Sequence, residues 1–372
     1  MRRAAPLVLG AGPAGCAAAI ALARAGAPPV LLDRHAEVRD QLCGGFLSWR
    51  TAEQLRAIGV DPAVFGARQV GRLALFAGGR EAALPLPAPA FGLSRRALDT
   101  ALRRQAQTLG SALEIDAARG IAGTTVLGRR REWPGDALFL ATGKHDVRDA
   151  VRPRMARDPA LGLRLRLPAN TAREALLAGR IELHLFGGGY AGIVLQEDGS
   201  ANVCLAVRKS LLAASGGDPG NLLGDLAARH PAFARRLADD WTARPVETVG
   251  AVPYGWIARD TRPGLFRLGD QAAVIPSLAG EGIAIALTSG AMAARHWLER
   301  GADGAPAFQR ALATRAAGPV RTARLARAIA ESPFAAALGV ALAQRLPPLA
   351  RWLMQASRIE PDAPLAQPLA AS

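Results

Sequence analysis

Lysine is almost missing from this chain: of its 46 Lys and Arg residues only Lys144 and Lys209 are lysines. Cysteine is nearly as scarce. Cys16, Cys43 and Cys204 stand far apart with no CxxC pair. That spacing argues against a disulfide framework or a zinc site, and it fits a reducing cytoplasm. Aromatic residues make up 5 % of the chain and do not interleave with the basic ones. A nucleic-acid-binding surface is therefore not expected. Every long apolar stretch is broken by Arg, Gly or Pro before the roughly 20 residues that a transmembrane helix needs. Met1–Pro6 does not read as a signal peptide, and no internal repeat is present. What remains is a chain of 372 residues, half of them hydrophobic, with room for two domains. Its net charge of +15 comes almost entirely from arginine. That balance reads first as compositional bias giving a solvated basic surface, with attraction of an anionic cofactor or anionic lipid as the alternative.

Against that background two glycine-rich stretches stand out. The first, Gly10-Ala11-Gly12-Pro13-Ala14-Gly15, follows the apolar run Leu7-Val8-Leu9. The run predicts a buried parallel strand. In a G-x-G-x-x-G turn the first glycine permits the bend and the second admits a pyrophosphate to the backbone. The third lets helix and strand pack closely. Ala14–Ala25 predicts the helix whose N-terminal amides face the anion, and Gly26 stops it. Pro29–Leu32 predicts a second strand, and Asp33 at its end is placed to accept hydrogen bonds from a ribose diol. Strand, turn, helix, strand and acid in this order predict a dinucleotide site. The second stretch runs from Arg267-Leu268-Gly269-Asp270 to Pro276-Ser277-Leu278-Ala279-Gly280-Glu281-Gly282-Ile283. An NAD-binding unit has no need of it; a flavin enzyme does.

Between them the pattern changes. Val70–Pro87 predicts a hairpin turning at Gly78-Gly79 and closed by the proline-rich Pro85–Pro89. Leu93–Leu109 predicts a helix, and Ala137–Gly143 a buried strand ending in a glycine turn. Ile181–Phe186, Ala191–Gln196 and Ala201–Val207 read as strands, with Asp198-Gly199 as a turn between the last two. Ile283–Leu298 reads as a long helix, and the remainder is helical and arginine-rich. Within it Pro333–Leu353 mixes Phe334, Leu338, Val340, Leu342 and Trp352 with Arg345 and Arg351. It is expected to pack against the nucleotide-binding domain, with contact to a membrane surface as the alternative.

These motifs and their spacing resemble the FAD-dependent oxidoreductases of the aromatic hydroxylase and geranylgeranyl reductase superfamily. Gly10, Gly12, Pro13, Ala14, Gly15, Asp33 and Arg34 stand at the family's first nucleotide motif. Ser94-Arg95-Arg96-Ala97-Leu98-Asp99 is similar to its arginine-led helix start, and Leu268-Gly269-Asp270 to its second flavin motif. The resemblance implies an α/β fold: a Rossmann-like FAD-binding domain of the para-hydroxybenzoate-hydroxylase type, interleaved with a mixed or antiparallel β-sheet substrate domain, plus C-terminal helices. The expected boundaries are 1–69, 93–150 and 259–300 for the FAD-binding domain. Residues 70–92 and 151–258 would form the substrate domain, and 301–372 a helical region. By the same resemblance Arg95 contacts the FAD phosphate or ribose, Asp270 binds the ribityl hydroxyls, and Gly143, Gly269, Gly280, Gly282 and Ile283 complete the cofactor site. Amides at the start of the last helix would stabilise the anionic reduced flavin.

Cys43-Gly44-Gly45 and Pro276-x-x-x-Gly280-Glu281-Gly282-Ile283 are closer to the reductases than to the hydroxylases. Two departures pull the other way. The hydroxylases' Asp-Gly pair is replaced by Thr142-Gly143-Lys144-His145-Asp146, and of the reductases' tyrosine-tryptophan-phenylalanine-proline substrate motif only Tyr190 remains. A halogenase's tryptophan-rich motif and its lysine are missing. The resemblance thus implies FAD reduced by NAD(P)H in a shared cleft, there being no second GxG unit. It implies hydroxylation of a lipophilic or aromatic small molecule first, and reduction of a carbon–carbon double bond as the close alternative. A flavin-binding or membrane-peripheral protein without turnover is the third reading. Cys43 and Tyr190 are the candidate catalytic residues, with His145 and His184 as further candidate acids and Tyr254 and Trp256 as candidate pocket aromatics. No metal is expected.

Overall fold

The computed structural model describes residues 6–153 and 156–362. Residues 1–5, where the absence of a signal peptide was read, and residues 363–372 of the C-terminal region lie outside them. The chain opens with β1 (Leu7–Leu9), α1 (Pro13–Arg24) and β2 (Val30–Asp33). The short β3 (Phe46–Leu47) and α2 (Trp49–Ala57) lead into a long hairpin, β4 (Arg68–Ala77) and β5 (Arg80–Gly92). Then come α3 (Arg95–Thr108), β6 (Ala112–Ile115), the small strands β7 (Ala118–Ala122), β8 (Thr125–Gly128) and β9 (Glu132–Trp133), and β10 (Leu138–Leu140). The middle of the chain gives β11 (Ala160–Leu167), α4 (Thr171–Leu177), β12 (Arg180–Phe186), β13 (Gly189–Leu195) and β14 (Ala201–Arg208). Helices α5 (Lys209–Ala214), α6 (Pro219–Arg229) and α7 (Pro231–Leu237) precede β15 (Glu247–Val252) and β16 (Leu265–Arg267). The rest is helical: α8 (Gly282–Arg300), α9 (Gly304–Ala330), α10 (Pro333–Arg345) and α11 (Pro347–Ala356). No single one of the described helices is long and apolar enough to cross a membrane.

Two large sheets organise these elements. The first is parallel, in the order β16-β10-β1-β2-β6. Its central strands are short apolar runs buried on both faces, under α1, α3 and α8 on one and under the small β7-β8-β9 sheet on the other. Strand order reverses beside β1, so the crevice beyond the ends of β1 and β10 is where a ligand fits such a sheet. Helices α1 and α8 cross at contact distance because Gly290 has no side chain; a Cβ there would sit 2.5 Å from Ala14 O.

The second sheet has eight strands in the order β15-β11-β14-β13-β12-β4-β5-β3. It alternates residue by residue, with both faces covered. On β12, Ile181, Leu183 and Leu185 face the interior space between the sheets. Glu182, His184 and Phe186 face α6 and α7.

The hairpin does not close at Pro85–Pro89. Strand β5 runs on to Gly92 because it pairs with β4 on one side and only at its end, through Phe91 and Gly92, with β3 on the other. Prolines are tolerated where no ladder donor is needed. Helix α10 also departs from expectation. It lies on the second sheet, where Ala336, Val340 and Ala343 cluster with Ala77, Ala82 and Leu84, and not on the nucleotide-binding sheet.

Candidate functional site

A cavity of about 1600 Å³ runs between the two sheets and on beneath α9, α10 and α11. One end is built from turns. Gly10 has φ +107°, a left-handed value that favours glycine, and a Cβ there would strike Ala141 O at 2.4 Å. Gly15 stands behind the turn, where a Cβ would lie 1.9 Å from Gly10 O. It does not line the cavity, and its work is helix–strand packing. Gly12 is different. Its φ is −88°, and the only atom within 4 Å of an added Cβ is Arg95 Nη2, at 3.8 Å. Gly44 and Gly282 likewise have ordinary φ and nothing near an added Cβ, and both line the cavity. No neighbour in the protein forbids a side chain at these three positions. What a side chain would fill is the cavity, so they form a cradle that fits a large bound group such as a dinucleotide.

Charged groups flank this cradle in pairs. Asp33 accepts from the amides of Ala11 and His35, both at 2.9 Å, and pairs with Arg103 at 3.1 Å. Arg103 also donates to Ala11 O and His35 O, which ties α3 to the glycine turn. Arg95 grips Asp99 through two bonds of 2.9 and 2.7 Å. Burial works against its charge, yet the Asp99 carboxylate holds the guanidinium even further above its usual range. Arg95, Asp99 and Arg103 form an i, i+4, i+8 stripe along α3, and all three line the cavity. That stripe was the signal by which Arg103, missed from sequence, was detectable.

Beyond the cradle two further turns meet. Gly269 has φ +54°, and its amide donates to Ser289 Oγ at 2.8 Å. Gln271 Nε2 donates to Gly143 O and His145 O. Arg152, 4 % exposed, bonds Asp146 Oδ1, Lys144 O and Asp270 O at 2.6–2.9 Å and locks the two turns together. The Asp270 carboxylate lines the cavity with no hydrogen bond or ion pair among the described residues, so its oxygens are free to accept from a ligand. Gly280 and Ile283 also line it. The loop that carries them is pinned by the fully buried Glu281, which accepts from Ser48 Oγ at 2.7 Å, from Arg358 and from the Ile359 amide. Arg34 donates to His145 Nε2 at 2.8 Å. Burial and the adjacent Arg34 push His145 below its usual range, so the ring is a neutral acceptor.

The candidate acids separate. His184 does not line the cavity. It lies on the far side of the sheet, stacked on Phe76 and 3.1 Å from Glu182, which is held in turn by two 2.8 Å bonds from Arg236. Its expected place as an acid is therefore corrected to a buried structural one. Trp256 is also absent from the lining, whereas Tyr254 and Cys43 are present. Asn202 Nδ2 holds the Cys43 carbonyl at 3.0 Å. The chain's two tyrosines converge on one hydroxyl: Tyr190 Oη lies 2.5 Å and Tyr254 Oη 2.9 Å from Ser277 Oγ. Burial pushes Tyr190 well above its usual range and Tyr254 up to about 12, so both phenols stay protonated. Ser277 lies three residues before Gly280. The tyrosines therefore stand at the junction of the polar end and the remainder of the cavity, which Leu73, Leu84, Ile181, Leu183, Val340 and Leu346 line with aliphatic groups.

Residues 3–112 match the family described as FAD binding domain. The chain is 29 % identical over 314 residues to digeranylgeranylglycerophospholipid reductase 2 of Methanopyrus kandleri, covering 77 % of this chain and 75 % of that protein. It is 27 % identical over 323 residues to menaquinone reductase of Mycolicibacterium smegmatis, covering 78 % and 76 %. Among solved structures, the flavin-dependent brominase Bmp2 superposes with a TM-score of 0.76 at 14 % identity, over 97 % of this chain and 95 % of that one. At that identity the likeness shows the fold alone.

Proposed function

On the premise that this chain is an FAD-dependent oxidoreductase, related to the geranylgeranyl reductases and the aromatic hydroxylases, we propose that it reduces carbon–carbon double bonds in a polyisoprenoid lipid. The observation that carries this reading is the aliphatic continuation of the cavity beyond the paired tyrosines. The sequence placed hydroxylation first because the reductase motif has lost its tryptophan, phenylalanine and proline. Leucines of β4, β5 and β12 and the C-terminal helices line the space instead, with a surface suited to a long alkyl chain.

In this reading Gly10, Gly12, Pro13 and Ala14 hold the pyrophosphate, with Arg95 beside them, and Asp33 and Arg34 take the adenosine side. Gly143, Gly269 and Asp270 take the ribityl chain, and Gly280, Gly282 and Ile283 the ring. Bound FAD, reduced by NAD(P)H, supplies the hydride equivalent. The protein's part is to place the double bond against the Pro276–Gly282 loop and to provide the proton for the second carbon. Tyr254 donates it, Ser277 passes the replacement from Tyr190, and a solvent proton restores the Tyr190 phenol. Cys43 lines the same cavity and would face the bound group. Three free thiols suit a cytoplasmic location.

The test is anaerobic turnover of a short prenyl lipid in deuterated water by the FAD-loaded protein with NADPH or NADH. The expected product gains two hydrogens per double bond, at least one of them solvent deuterium. Tyr254→Phe is expected to lower kcat about a hundredfold with flavin retained. Because Tyr254 is pushed up to about 12, its protonation should leave the rate flat from neutral pH to well above it. A product that forms only in air and carries an added oxygen overturns this reading in favour of hydroxylation.

A further inference from the structure

Ten large apolar side chains are markedly exposed among the described residues, and eight of them fall between Leu325 and Trp352. On α10 the exposed ones recur every fourth residue: Phe334, Leu338 and Leu342 are 81 %, 50 % and 39 % exposed. The opposite stripe of the same helix, Ala336, Val340 and Ala343, is buried on the second sheet. A helix apolar on both faces is normally covered on both; this one is covered on one. The patch is contiguous with the cavity. Leu342, Leu346 and Leu349 are exposed and also line it, so the aliphatic end opens through the patch itself.

The charge around the patch has one sign. Residues 305–358 contain eight arginines and a single acid, Glu331. Glu331 is buried and already paired with Arg208 and Arg327. Arg321, Arg324, Arg345 and Arg351 are exposed beside the apolar side chains. A second copy of the chain would bring arginine against arginine on this face. An anionic lipid surface answers both the apolar stripe and the positive rim.

We infer that α10, α11 and the end of α9 form a docking face for an anionic bilayer, and that a lipid chain passes from the membrane through the Leu342–Leu346–Leu349 opening to the paired tyrosines. This rests on the lipid-substrate reading above, and its test is independent of turnover.

The full-length, FAD-loaded protein is floated with phosphatidylcholine vesicles that contain or lack phosphatidylglycerol. The wild type is expected to float with the anionic vesicles and to be released by high salt. The triple variant Phe334→Ser, Leu338→Ser, Trp352→Ser changes exposed residues that do not line the cavity. It should lose vesicle binding about tenfold or more while keeping its flavin and its turnover of a detergent-dispersed short prenyl lipid. Wild-type protein that stays off anionic vesicles, or a triple variant that floats as well as wild type, overturns the docking face. So does a dimer in vesicle-free solution that the triple variant makes monomeric, since the patch then belongs to a second copy. Loss of short-lipid turnover in the wild type overturns the proposed reaction and leaves flotation unaffected.

Discussion

At the Gly10 end of the cavity the lining is backbone and paired charge. At the Val340 end it is aliphatic side chain. The first end is held by long-range polar ties: Arg103 to Asp33 and Ala11, Arg152 across two turns, and Glu281 to Ser48 and Arg358. Each tie fixes a position to within a hydrogen bond's tolerance. The far end has no such ties along its lining leucines, so its shape is set by side-chain packing. One end is fixed by polar ties, and the other is shaped by aliphatic side chains alone.

Substitutions separate the two ends. The largest effect is expected at Gly12. Gly12→Val projects into the cradle without striking the protein, so the fold should survive while FAD affinity falls about a hundredfold, roughly 3 kcal/mol. The flavin-to-protein absorbance ratio and a thermal melt of the same sample check this. Stoichiometric flavin in Gly12→Val would show that the cradle has been misplaced. Asp270→Ala comes next. Removing an acceptor with no protein partner should weaken FAD about tenfold and leave the melting temperature of the flavin-free protein unchanged. Equilibrium dialysis against FAD measures it. The mildest is Gly192→Phe on β13. Gly192 lines the cavity with ordinary φ, and an added Cβ meets Leu183 Cδ2 at 3.5 Å. Its ring should raise KM for a long prenyl chain about tenfold and spare a short one. Equal effects on both chain lengths would mean that the substrate does not extend past β13.

Much of the polar end was legible in advance. Gly10, Gly12, Gly143, Gly269 and Gly280 announce turns because their neighbours are apolar strands and helices of recognisable period. The parts that hold those turns in place were not legible. Arg103 reaches Asp33 across 70 residues, Arg358 reaches Glu281 across 77 and Arg152 reaches the Asp270 carbonyl across 118, and in an arginine-rich chain one arginine looks like another. His184 shows the converse. Its sequence setting on a strand is compatible with either face, and the period-2 register of β12 turned it away from the cavity.

The sequence by itself determined the local elements: the apolar runs of β1 and β10, the glycine turns, and the helices whose stripes repeat at 3.6 residues. It also determined that the chain carries an FAD-binding motif. Tertiary structure decided what those elements face. It brought Tyr190 and Tyr254, 64 residues apart, onto Ser277. It seated α10 on the hairpin and not on the nucleotide-binding sheet, which left Phe334 and Leu338 uncovered beside the mouth of the cavity. The physical reason is that period and turn chemistry act between near neighbours along the chain. Burial is a competition among all surfaces at once, and no local pattern states which of them wins.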